Sequence, residues 1–262
     1  MPRFKLLIEY AGTRYSGWQI QKNARTVQGE IDRAIGKVSK RREFELYGSG
    51  RTDAGVHALA QVAHLELYTT LQPESLRRKL NDELPADIHI RTIDLAPHRF
   101  HARHDAISRC YLYQISRRRT AFGKPLVWWI RDRLSLDAMR AAASAFIGMK
   151  DFRAFTDDEP EEKSTRVLVE SIEIAENGAL ILIRVQGSHF LWKMVRRMVG
   201  VLAAVGRNEL DPSDAARLLS DEHGGSKPAA LAAPAAGLFL EAVLYKGDPA
   251  PGPITPVINI GA

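Results

Sequence analysis

Polar and apolar residues alternate from Arg3 to Tyr10, the period of two expected of a half-buried strand. After Thr26 the spacing changes: Val27, Ile31, Ala34, Ile35 and Val38 form a helical stripe, with Thr26 placed to cap its first turn. Alternation returns over Glu43 to Tyr47 and again through Ala63, Leu65 and Leu67. Leu76, Leu80 and Leu84 mark a second helix entered after Pro73, and Ile88 and Ile90 alternate with His89 and Arg91 as a fourth strand. The order is β-α-β-β-α-β, that of a ferredoxin-like unit.

The second half repeats the order loosely. Arg109 to Ile115 reads as a strand; Ser135 caps a helix striped by Leu136, Met139, Ala143, Phe146 and Ile147 and ended by Gly148. Two strands, Val167 to Ala175 and Ala179 to Gln186, flank the hairpin signal Asn177-Gly178. A helix follows from about His189 to Val205, then a short one opened by Asp211-Pro212, and a last strand from Gly237 to Tyr245. The expected fold class is α+β: two ferredoxin-like halves, residues 1–105 and 106–247, whose sheets join around a central cleft. Residues 248–262, rich in proline and glycine, are expected to be an extended or disordered tail.

Charge adds a weak pointer. The 262 residues carry a formal +6, which fits a polyanionic partner without requiring one. Basic groups stand at Lys40-Arg41-Arg42, Arg77-Arg78-Lys79 and Arg117-Arg118-Arg119. Such groups are usually solvated surface, and become candidates for phosphate contacts only on an RNA-binding protein. The acidic stretch Asp157 to Glu162 and the alanine- and proline-rich Lys227 to Ala236 read as loops. Cys110 is the one cysteine, so neither an intrachain disulfide nor a cysteine-based zinc site is expected. His98, His101 and His104 recur every three residues, but no carboxylate or cysteine has the spacing of a companion ligand, so no metal is expected. The amino-terminal segment lacks the apolar core of a signal peptide, and Met198 to Val205 is too short to span a bilayer. A cytoplasmic protein without a membrane partner is the expectation.

The chemistry is concentrated in Gly48 to Ala58, GSGRTDAGVHA. The stretch lacks the Lys-Ser/Thr ending of a phosphate-cradling loop and misses the dinucleotide glycine spacing. On composition alone a surface turn is the better reading, because glycine and aspartate are ordinary turn formers. Two features argue for more. The loop is long for a hairpin, and glycines let a bulky ligand approach the backbone. Arg51 stands two residues from Asp53, close enough to favour an ionised carboxylate.

The literal string resembles the active-site motif of the bacterial tRNA pseudouridine synthases of the TruA family. The resemblance runs from Ile8 to about Tyr245: EYAGTRYSGWQIQ (Glu9 to Gln21), Thr26-Val27-Gln28-Gly29, LNDELPADI (Leu80 to Ile88), FHAR (Phe100 to Arg103), RCYLY (Arg109 to Tyr113), FLWKMVRRMVG (Phe190 to Gly200) and PAAGLFL (Pro234 to Leu240). It implies the pseudouridine synthase fold, with Asp53 as nucleophile, Tyr111 for base stacking and proton removal, and Arg196 paired with Asp53. It further implies substrate contacts from Arg51, Tyr111, His57 and an apolar wall at Leu238. By resemblance the reaction isomerises uridine at positions 38, 39 and 40 of the tRNA anticodon stem-loop, after base flipping and without a cofactor, in a homodimer. Asp53 attacks either C1′ or C6. Two positions depart from the family pattern, His104 where a phenylalanine is common and Lys150 where a histidine is; neither touches the catalytic set. A pure RNA-binding module and a metal-dependent nuclease remain the competing readings.

Overall fold

The computed structural model describes residues 1–40, 43–158, 164–220 and 228–261. Arg41 and Arg42, most of the acidic stretch after Asp158, and Lys227 lie outside them. The chain forms two compact units, residues 1–107 with 239–250, and residues 108–238 with 251–262.

The first unit follows the expected order: β1 (Arg3–Tyr10), α1 (Val27–Ser39), β2 (Phe44–Gly48), β3 (His57–Leu67), α2 (Pro73–Glu83) and β4 (Ile88–Ala96). β1 lies between β4 and β3, antiparallel to both. The other edge of β3 is shared, with β2 antiparallel to residues 63–67 and the last strand parallel to His57 and Ala58. Phe4, Leu6, Ile8 and Tyr10 alternate inward on β1 and form the core with Ile31, Ile35, Leu76 and Leu80 of the helices. Thr26 caps α1 as expected, its side chain accepting from the Gly29 N–H.

In the second unit β5 (Ala106–Ser116, its first two residues in the first unit) pairs with β9 (Leu180–Gly187), β9 with β8 (Arg166–Asn177), and β8 with β7 (Gly148–Asp151). A two-residue strand, β6 (Trp128–Trp129), runs parallel to the end of β5. The helices are α3 (Leu136–Ala143), α4 (Met194–Gly206) and α5 (Asp214–Leu219). Phe146, Phe152 and Phe155 pack edge to face beside them and are fully buried.

Two expectations change. The last strand, β10 (Leu238–Tyr245), counted by chain order with the second half, groups from Phe239 onward with the first unit because it pairs with β3. The helix expected from His189 begins at Met194, because Lys193 adopts a left-handed conformation (φ 60°) at its start. Of the expected tail, residues 251–261 have no helix or strand and are held in the second unit: Arg184 Nη1 donates to the Gly252 carbonyl (2.8 Å), and the Val257 N–H to Gln114 Oε1 (2.7 Å). Ile260 is buried.

Candidate active site

The glycine-rich loop joins β2 to β3 and is held by its main chain. At its start the Ser49 N–H donates to the Val62 carbonyl (2.7 Å), Ser49 Oγ donates to Gln61 Oε1 (2.7 Å), and Gln61 Nε2 donates to the Gly50 carbonyl (3.1 Å). From the other side the segment after β1 clamps it: the Trp18 N–H donates to the Thr52 carbonyl (3.1 Å), and the Gly55 N–H to the Tyr15 carbonyl (3.2 Å). Thr52 Oγ1 shares a 2.8 Å hydrogen bond with the buried Tyr10 hydroxyl, whose pKa burial pushes up. The approach is close enough to need glycines. A Cβ on Gly12 would collide with the Val56 carbonyl oxygen, and one on Gly17 (φ 91°) would lie 2.5 Å from the Thr52 oxygen. These clamp residues belong to the stretch Glu9 to Gln21.

Between the clamps Asp53 is half-buried and Arg51 exposed. Asp53 turns the chain by accepting the Val56 N–H at its carbonyl (3.1 Å). His57 is 1% exposed. Its Nδ1 accepts the Gly12 N–H (3.1 Å) and its ring stacks 4.7 Å from Phe239, so the imidazole ties the loop to the clamp.

Tyr111, Arg196 and Leu238 lie in the second unit. Tyr111 is half-buried on β5 and meets Phe190 edge to face at 5.3 Å. Tyr113, two residues on and on the same strand face, is buried, and its hydroxyl donates to the Pro234 carbonyl (2.8 Å). Burial raises the Tyr113 pKa, against the nearby positive charge of Arg196. Arg196 Nε donates to the Ala233 carbonyl (2.7 Å), and the Ala233 N–H returns a bond to the Arg196 carbonyl (2.9 Å). Leu238 is 4% exposed at the start of β10.

α4 separates its two adjacent arginines. Every other residue of the helix is fully buried; Arg196 alone is not. Arg197 is 3% exposed and forms an ion pair with Asp157. Its Nε has no hydrogen-bond partner among the described residues. That guanidinium holds the Asp157 carboxyl below the usual carboxylate range, helped by Lys193 (3.0 Å).

The histidines regroup. His101 and His104 stand 4.2 Å apart, ring to ring, but their third neighbour is His64 of β3, 4.6 Å from His101. Spacing along the chain could not show this. Among the described residues no group of three or more His, Cys, Asp or Glu side chains is arranged to hold a metal. No helix among them is long and apolar enough to cross a membrane.

The family model described as tRNA pseudouridine synthase matches residues 6–105 and 142–246. The chain belongs to that family. It is therefore an enzyme, an isomerase. The matched spans include Asp53, Arg196 and Leu238, while Tyr111 falls between them. Relatives named tRNA pseudouridine synthase A agree over nearly their whole length. That of Pseudothermotoga lettingae is 38% identical over 246 residues, 93% of this chain and 99% of the relative. That of Rhodopseudomonas palustris strain BisA53 is 41% identical over 250 residues, 94% and 100%. That of Geotalea daltonii is 40% identical over 248 residues, again 94% and 100%. The likeness first seen in short motifs is thus continuous, and places the chain with the TruA group.

Proposed function

We propose that the chain converts uridine to pseudouridine at positions 38, 39 and 40 of the tRNA anticodon stem-loop, as a cytoplasmic homodimer, with the Asp53 carboxylate as nucleophile. The observation that carries the reading is the clamped loop. Its backbone is fixed from both sides while Asp53 remains half-buried rather than enclosed. A nucleophile profits from such fixed placement, because little conformational freedom is left to lose on the way to the transition state.

The reaction breaks the bond from C1′ to N1, turns the base, and joins C1′ to C5; the C5 proton leaves and N1 takes one up. Nothing is gained or lost overall, so no cofactor is required. Attack by the carboxylate at C1′ displaces the base directly, and attack at C6 first forms an adduct of the base. Both routes need the ionised carboxylate. Tyr111 is assigned to stack on the flipped base and accept the C5 proton, Arg196 to pair with Asp53, and Leu238 to wall the pocket. Arg51, exposed on the loop, is suited to fill the space the flipped nucleotide leaves. His57, enclosed as it is, is better assigned to holding the loop than to touching substrate.

Each turnover frees the hydrogen at C5, so tRNA labelled there with tritium reports the reaction directly. Asp53→Asn should reduce label release by at least about 10⁴-fold while retaining tRNA binding. Retained turnover would remove Asp53 from the nucleophile's role. Wild-type turnover should also survive excess chelator with the RNA intact; strand cleavage that chelator abolishes would favour the nuclease reading instead.

A further inference from the structure

The chain's positive charge is concentrated in one place. Residues 117–133 hold Arg117, Arg118, Arg119, Lys124, Arg131 and Arg133 against the single carboxylate of Asp132, an excess of five in a chain whose formal total is +6. This arm follows β5 and lies outside both spans matched by the family model. It is held in shape rather than left loose. Gln114, fully buried, donates from Nε2 to the Leu126 carbonyl (3.0 Å) and accepts the Val257 N–H at Oε1, fastening arm and tail to β5. The Ile130 N–H donates to the Ser116 carbonyl (3.0 Å). Arg118 Nε donates to the Gly261 carbonyl (2.8 Å).

What the scaffold presents is unusual for a surface. Phe122 is 99% exposed and Trp129 42%, with the Arg119 guanidinium 5.7 Å from the Trp129 ring centre. Apolar rings interleaved with cations suit an RNA strand, whose phosphates take the charges and whose bases stack on the rings. Within the arm Arg117 is paired with Glu176 (2.8 Å), whereas no ion pair engages Arg119 or Lys124 among the described residues; in the basic group Arg77-Arg78 both guanidinium groups are engaged by Glu74 of the same helix. Along β5, Tyr111 and Arg117 are six residues apart, about 20 Å at the rise of a strand. On the reading above, in which Tyr111 stacks on the flipped base, the arm stands well away from that nucleotide.

We propose that residues 117–133 form a second RNA-contact surface that grips the tRNA outside the target stem-loop, an inference that rests on the tRNA reading above. The test compares equilibrium binding of full-length tRNA and of the isolated anticodon stem-loop. Arg119→Ala with Lys124→Ala should weaken full-length binding by about 10-fold at 0.1 M salt and lower the slope of log affinity against log salt by between about one and two. Stem-loop binding should stay within roughly 2-fold. Phe122→Ala should weaken full-length binding at least about 5-fold without changing the slope, and Phe122→Tyr should restore it. Equal losses on both RNAs, or none on either, overturn the proposal. So does altered sedimentation of the free protein with unchanged tRNA binding, which would make the arm a protein interface. Wild-type protein inert toward tRNA uridine would defeat the catalytic reading, while the binding ratios would still decide the arm.

Discussion

The glycine-rich loop of the first unit and α4 of the second hold their candidate site residues by different means. The loop has no regular structure, and its position comes from main-chain hydrogen bonds to Tyr15, Trp18 and Val62. α4 is fixed by volume: its apolar residues are buried on all sides, and Arg196 is left as the one side chain with an outlet. The contrast teaches where each region is vulnerable. The loop should be sensitive to the chain that approaches it, through Gly12 and Gly17. The helix should be sensitive to what is buried beside Arg196, above all the neighbouring charge. A loop held largely through its backbone leaves more freedom in its side chains, whereas α4 must reconcile a partly exposed cation with a packed core.

The largest expected effect separates stability from activity within α4. Asp157→Ala leaves the buried Arg197 guanidinium with the Ala154 carbonyl but without its carboxylate, and should cost about 2 kcal/mol in urea unfolding. Below the melting range its turnover should be near wild type. Arg196→Met removes the guanidinium that donates to the Ala233 carbonyl, and should destabilise by less than Asp157→Ala while sharply reducing turnover. If Arg196→Met unfolds as readily as Asp157→Ala, the two arginines share a structural role and the contrast with the loop fails.

Acid should loosen the two units in different pH ranges. Burial, followed by the charges of His101 and Arg3 and opposed by Asp105, depresses the His64 pKa from 6.5 to about 4. The unfolded chain then binds the extra proton between those values. Stability from the neutral ring is complete above about pH 6.5 and is lost as pH falls toward 4, by up to about 3 kcal/mol. Asp157 behaves in the usual carboxylate sense. Held low by Arg197, it contributes stability above its ordinary value of 3.8, lost only as pH falls further. Hydrogen exchange resolved by peptide should therefore show β1 and β3 losing protection before α4 between pH 6.5 and 4. His64→Asn should abolish that difference; an unchanged order of loss would show that His64 does not set it.

The same contrast governs how much the sequence could disclose. Periodicity located α4, but its apolar stripe treats Arg196 and Arg197 as equals, and only the family resemblance chose between them. Which arginine is buried depends on Asp157, forty residues earlier in the chain. The loop was legible as a motif and not as a structure, since nothing local shows that Gly12 and Gly17 exist to admit it. His64 escaped notice for the same reason. It stands on an apolar strand, far along the chain from His101, and is brought to it by the turn at residues 100–105. The last strand kept its alternation but not its expected grouping: chain order put it with the second half, while Phe239 onward groups with the first unit and pairs with β3. β6 and β7, of two and four residues, are too short to register a period at all.

The smallest expected effect bears directly on the clamp. Tyr10 belongs to β1 and Thr52 to the loop, and their hydroxyls meet in a buried 2.8 Å hydrogen bond one residue from Asp53. Tyr10→Phe and Thr52→Val each leave the other hydroxyl without this partner, so each should cost about 1 kcal/mol; the double variant should cost less than their sum, with a coupling of about 1 kcal/mol. If Asp53 is the nucleophile proposed above, the bond aligns it rather than binding RNA, so kcat should fall several-fold while the tRNA dissociation constant holds. A fall in kcat from Thr52→Val with no coupling to Tyr10 would mean that Thr52 acts on the reaction itself. Coupling in stability with kcat unchanged would mean that the main-chain bonds alone place Asp53, and the loop would then depend on its clamp even more purely than the contrast with α4 requires.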